Sequence, residues 1–152
     1  MLISHSSMVS GSYCLCIFVA EDIAVNIGAL GTISFSKGRY VYVGSALNGL
    51  EQRIKRHFAT NLGKGKAIHW HIDYLLLSIG VTLEGVYIKE SNKHEECAIA
   101  SRIADRGYPI QRFGSSDCRC NSHLFWVDSF TMLNEIGLKK VDNNSFISLI
   151  TQ

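Results

Sequence analysis

The apolar positions of residues 12–20 do not alternate with polar ones. Tyr13, Leu15, Ile17 and Val19 fall on one side of an extended chain, and Cys14, Cys16 and Phe18 on the other. A strand apolar on both faces is covered on both, so Ser12 to Ala20 is predicted as a central strand. Gly28 and Gly31 punctuate the next stretch, and Thr32 to Phe35 is predicted as the second strand of a hairpin. After the Lys37-Gly38 turn, Arg39 to Gly44 puts Tyr40 and Tyr42 on one face and Val41 and Val43 on the other, a further strand.

The period then changes. Leu47, Leu50, Ile54 and Phe58 recur at helical spacing, with Asn48 as the expected N-cap and Glu51 three residues on, a variant of the capping box. Asn61 to Lys66 reads as a flexible basic loop and His69 to Leu77 as a short helix packing Ile72, Leu75 and Leu76. Gly80 to Lys89 follows as a strand, and His94 to Arg106 as a helix with a small-residue face, ended by Gly107. Pro109 opens an irregular stretch through Cys120, before a last strand (His123 to Val127) and a last helix (Phe130 to Gly137). From Lys139 the patterning is weak. The expected organisation is one α+β domain over 11–137, an N-terminal extension (1–10) and a C-terminal tail (138–152).

Bulk composition narrows the class. The 152 residues, 47% hydrophobic and 18% charged, describe an ordered domain with a core. No apolar run approaches the ~18 residues of a membrane span, and Met1 to Ser10 lacks the features of a signal peptide, so the expected location is cytoplasmic. Five cysteines are odd in number and suit a reducing compartment better than a disulfide framework. The net charge is only +2, yet between Lys37 and Lys66 seven Lys or Arg face one acid, Glu51. Lys55, Arg56, Lys64 and Lys66 are therefore candidate nucleic-acid contacts, although an ordinary solvated basic face has the same composition.

Candidate chemistry lies inside that block. Arg53 and His57 stand one helical turn apart and share a face. With Tyr13 and Tyr42 they offer two phenols, a permanent cation and an imidazole, groups suited to a phosphodiester. His69, His71 and Asp73 would share a face on a strand, but on a helix residues two apart diverge by about 200°. Cys118, Cys120 and His123, with Asp117, hold zinc-ligand types without a paired C-x-x-C spacing. Ser115-Ser116-Asp117 reads rather as a hydrogen-bonded turn that presents Arg119 or His123 to the site or to DNA. Cys14 and Cys16 read as small core hydrophobes.

Taken in order, Gly11-Ser12-Tyr13, Gly38 to Ala46, Arg53 to His57, His69 to Tyr74, Glu95-Glu96, and Phe113 to Cys120 with His123 resemble the GIY-YIG nuclease superfamily. Within it, the likeness is to the Uri-type endonucleases. The resemblance spans residue 11 to about 126. It implies a compact domain whose small, mainly antiparallel three-stranded central sheet is flanked by helices, with an extra hairpin between the two tyrosine motifs. It also implies DNA phosphodiester hydrolysis, in repair or DNA processing, with one divalent metal, Mg2+ or Mn2+. On this likeness Tyr13, Tyr42, Arg53 and His57 are catalytic and Glu96 holds the metal, with Glu95 the neighbouring alternative. His69, His71, Asp117 and His123 are accessory, and Asn121 is the candidate for the family's asparagine. Ser12 and Val43 stand where the two motifs carry isoleucine. Two other function classes use the same residues: an inactive nucleic-acid-binding module on this scaffold, and a redox or metal sensor built on the cysteines.

Overall fold

In the computed structural model, which describes residues 9–65, 67–114 and 120–144, β1 (Gly11–Val19) lies between β4 (Gly38–Ala46) and β5 (Val81–Glu90). Both pairings are antiparallel along the full length of β1. This central place explains why β1 is apolar on both faces. Tyr13, Leu15, Ile17 and Val19 join one buried cluster with Leu50, Ile54, Phe58, Ile72 and Leu75. Cys14 and Cys16 join another with Val41, Val43, Ile99, Ile103 and Leu133, packing as small hydrophobes as expected.

Three strands were expected, but among the described residues the main sheet has six. The hairpin of β2 (Ile23–Asn26) and β3 (Thr32–Phe35) forms a separate two-stranded sheet, while β6 (Tyr108–Pro109), β7 (Leu124–Val127) and β8 (Lys139–Val141) extend the main one. β7 pairs with β4, β6 with β7, and β8 with β5, all antiparallel. Their physical role is clear: β4 and β5 would otherwise present unpaired rows of backbone N–H and C=O groups. The weakly patterned segment from Lys139 thus begins as an edge strand. The stretch opened by Pro109 is likewise tied into the sheet at its start.

Helix α1 (Leu50–Asn61) buries Leu50, Ile54 and Phe58 as its spacing predicts. Its N-cap is Gly49 rather than Asn48. The turn out of β4 requires a left-handed backbone there (φ 76°), which glycine adopts without strain. Asn61, expected to open a loop, closes the helix instead. Its side chain donates to the carbonyls of Leu76 and Val81 and accepts from the Leu83 N–H, so α1 is stitched to the start of β5. Helix α2 (His71–Leu76) is shorter than predicted because Asp73 accepts the backbone N–H groups of His69 (2.8 Å) and Trp70 (3.0 Å), holding them as the helix entry. Helix α3 (Glu96–Ala104) packs Ile99, Ala100 and Ile103 on the opposite face of the sheet, and α4 (Met132–Glu135) is a single turn. Among the described residues no helix is long and apolar enough to cross a membrane.

Candidate active site

The β1–β4 register sets Tyr13 opposite Gly44 and Leu15 opposite Tyr42, so the two tyrosines are diagonal neighbours on one face. The Tyr13 ring packs closely against Gly44. A Cβ at residue 44 would sit 2.5 Å from the ring's Cζ and from its hydroxyl, which is why no larger residue follows Tyr42-Val43. From α1, His57 rises beneath both phenols. Its Nε2 meets the Tyr13 hydroxyl at 2.8 Å, and its ring centroid is 5.3 Å from Tyr13 and 6.4 Å from Tyr42.

These groups are almost wholly buried, and burial governs their charge. Burial, reinforced by the Arg53 and Arg56 cations, brings the His57 imidazole down to about 3. Burial also lifts the Tyr13 phenol to about 12, outweighing the Arg53 cation beside it. The Tyr42 phenol is raised by burial too, with Tyr13 and Asp73 adding to the effect. At neutral pH the trio is therefore uncharged. Each phenol keeps its proton in the resting state, because desolvation exceeds the pull of the single guanidinium.

Arg53 is fixed by an aromatic clamp. Its guanidinium lies 4.5 Å from the centre of the Trp70 ring, and that of Arg56 lies 4.4 Å from the same ring. Arg53 also donates to the Ser45 carbonyl at 3.2 Å. Arg56 donates to the Ala67 carbonyl and stands 3.6 Å from the buried Asp73 carboxylate. Each cation–π contact contributes about 0.5–2 kcal/mol, so together they hold a long side chain in one place. The grip of Trp70 on two arginines had no signal in the sequence.

Glu96 opens α3, and its neighbour Glu95 faces elsewhere. Glu95 binds Lys89 Nζ at 2.9 Å, and hydrogen bonds from Lys89 and Ser91 hold its carboxyl below the usual range. Glu96 turns toward the tyrosines. One of its oxygens is 3.6 Å from His94 Nδ1, and the other is buried with no hydrogen-bond partner among the described residues. A cleft of about 460 Å³ joins the pieces: Tyr13, Tyr42, Arg53, Trp70, Glu96 and His123 all border it.

Not every expected residue reaches this cleft. His57 stands behind Tyr13, within contact of its hydroxyl but outside the lining. His69 is exposed and meets the Trp70 ring edge-on, while His71 Nδ1 accepts the Gly114 N–H at 3.3 Å; neither borders the cleft. Asn121 is exposed and lines a different cavity. Lys55 is half-buried on α1 and Lys64 exposed after it, whereas Lys66 and Asp117, with Cys118, lie outside the described residues. His94 and Ser45, joined at 3.3 Å on the cleft rim, were missed. The one signal for His94 is its place two residues before Glu96.

A family model described as a domain of unknown function, DUF123, matches residues 12–144. No curated protein and no solved structure matches the chain.

Proposed function

The chain belongs to the DUF123 family, and on that premise we propose that it is a divalent-metal-dependent endonuclease of the GIY-YIG, Uri type, hydrolysing phosphodiester bonds in DNA. One observation carries the proposal: a carboxylate with a buried, unpartnered oxygen borders the same cleft as two phenols and an immobilised arginine. A lone buried carboxylate oxygen is costly unless something positive meets it. Glu96 suits a hard cation such as Mg2+ or Mn2+, which takes one or two carboxylates and completes its shell with water and substrate phosphate. When bound there, such a cation offsets phosphoryl charge and lowers the pKa of water.

The chain's own groups then divide the work. Arg53, held over the Trp70 ring, presents a planar fork of donors to a phosphate oxygen. Tyr13 retains its proton in the resting site and orients the attacking water or the phosphate through its hydroxyl. Tyr42 shapes the floor of the cleft, packed edge-on against Phe113 at 6.4 Å. His57 is a positioning residue that fixes the Tyr13 hydroxyl from behind. The basic side chains of Lys55 and Lys64 flank the approach of a polyanion from α1. DNA repair or processing in the cytoplasm is the setting this chemistry fits.

The test is cleavage of labelled duplex, branched and single-stranded DNA by wild type and Glu96→Gln, with and without Mg2+ or Mn2+. Cleavage present only in wild type with metal is expected. A Glu96→Gln variant that cuts as fast as wild type, or a wild type that cuts nothing, refutes the proposal.

A further inference from the structure

We propose that Cys97, Cys120 and His123 form a second cation site, of zinc type, distinct from the oxygen-donor position at Glu96. The ligand atoms of these three residues all lie within 4.8 Å of one another. Cys97 Sγ and His123 Nε2 are 3.8 Å apart. With zinc–sulfur and zinc–nitrogen bonds of about 2.3 and 2.0 Å, a tetrahedral site places such a pair about 3.5 Å apart. The observed edge is close to that length, and the remaining edges need to contract by less than about 1.5 Å.

The donor set selects the ion. Two thiolates and a neutral imidazole around Zn2+ sum to zero charge, which suits half-buried cysteines and a buried histidine. Sulfur ligands also discriminate against Mg2+, so the two sites do not compete for metal. Among the described residues these three side chains supply the ligand atoms. Cys97 and Cys120 border a cavity of about 290 Å³, which gives an ion a way in to both sulfurs.

The backbone already holds the histidine in place. His123 donates its N–H to the Phe113 carbonyl and accepts from the Val43 N–H, each at 2.8 Å. Cys97 comes from the first turn of α3, directly after Glu96. A bound ion therefore links α3 to the segment leading into β7, the two elements that supply Glu96 and His123 to the cleft. This role is structural, and it stands whether or not the cleft cuts DNA.

The experiment is a cobalt(II) titration of the full chain, stripped of metal under reducing conditions. A thiolate-to-cobalt charge-transfer band with tetrahedral ligand-field bands is expected, saturating at about one ion per chain. Stoichiometric zinc should bleach it, and excess magnesium should leave it unchanged. Cys97→Ser should weaken binding by at least about tenfold, while Glu96→Gln should bind cobalt as wild type does. Alkylation of native wild type, mapped by mass spectrometry, provides a readout that needs no variant to fold. Zinc should slow labelling of Cys97 and Cys120 together by about tenfold or more. Absence of a cobalt band, a band unchanged in Cys97→Ser, or Cys97 labelling at the same rate with and without zinc overturns the proposal.

Discussion

Burial of a neutral histidine makes this protein sensitive to acid in a defined window. His57 is wholly buried, and its folded value of about 3 lies below the ordinary 6.5. The unfolded chain binds a proton at this residue as pH falls through 6.5, whereas the folded chain does not until about 3. Between those values the unfolded state holds more protons, so stability present above 6.5 is progressively lost on acidification. From about pH 7 to about pH 4 the loss from this residue alone is about 2.5 × 1.36, or roughly 3 kcal/mol. His57→Gln removes the titration while keeping an acceptor for the Tyr13 hydroxyl. The variant should be less stable at neutral pH, since it loses ring contacts with Tyr13 and Trp70, and the two stability curves should converge as pH falls. Urea unfolding followed by circular dichroism, at steps across that range, measures the difference. With a slope of about 2 kcal/mol/M, the gap between midpoints should close by roughly 1.5 M. Carboxylate titration is common to both proteins and cancels in the comparison. Parallel acid curves, with the gap constant to about 0.5 kcal/mol, would show that His57 is not held neutral by its surroundings.

Other substitutions probe the geometry around it. Gly44→Ala puts a methyl group 2.5 Å from the Tyr13 ring, so the ring must shift off His57. It should cost about 1–3 kcal/mol in thermal unfolding and abolish cleavage with the fold retained, and an alanine variant as stable and active as wild type would contradict the packing. Trp70→Leu removes the ring between Arg53 and Arg56, with an expected loss of about 1–3 kcal/mol and a rise in KM for DNA larger than the fall in kcat. An unchanged KM would mean that Arg53 needs no clamp.

The central strands, the buried stripe of α1 and the hairpin between the tyrosine segments were legible because each is a run of apolar residues with a clear period. Termini were less legible. Asn48 is a good cap by chemistry, but the turn from β4 needs a positive φ and selects Gly49, a tertiary demand that local preference does not encode. The strands Tyr108–Pro109 and Lys139–Val141 carry two and three residues, too few for a period, and they exist because a neighbouring edge needs partners. Within the site, the order of Tyr13, Tyr42, Arg53 and Glu96 was readable, while their charge states were not. Those depend on burial, and burial at Tyr13 reverses the ionisation that a nearby arginine alone would favour.

The same limit explains the cysteines. Cys120 and His123 were visible as a ligand pair three residues apart, but their partner Cys97 is more than twenty residues away on another element. Only the packing of α3 against β4 and β7 brings it near. Successive residues on a helix point about 100° apart, so Glu96 and Cys97 leave α3 in different directions. One turns to the cleft between the tyrosines and the other to the segment before β7. A single helical turn thereby offers an oxygen donor and a sulfur donor in different directions, and the cation that each attracts is decided by donor softness rather than by distance.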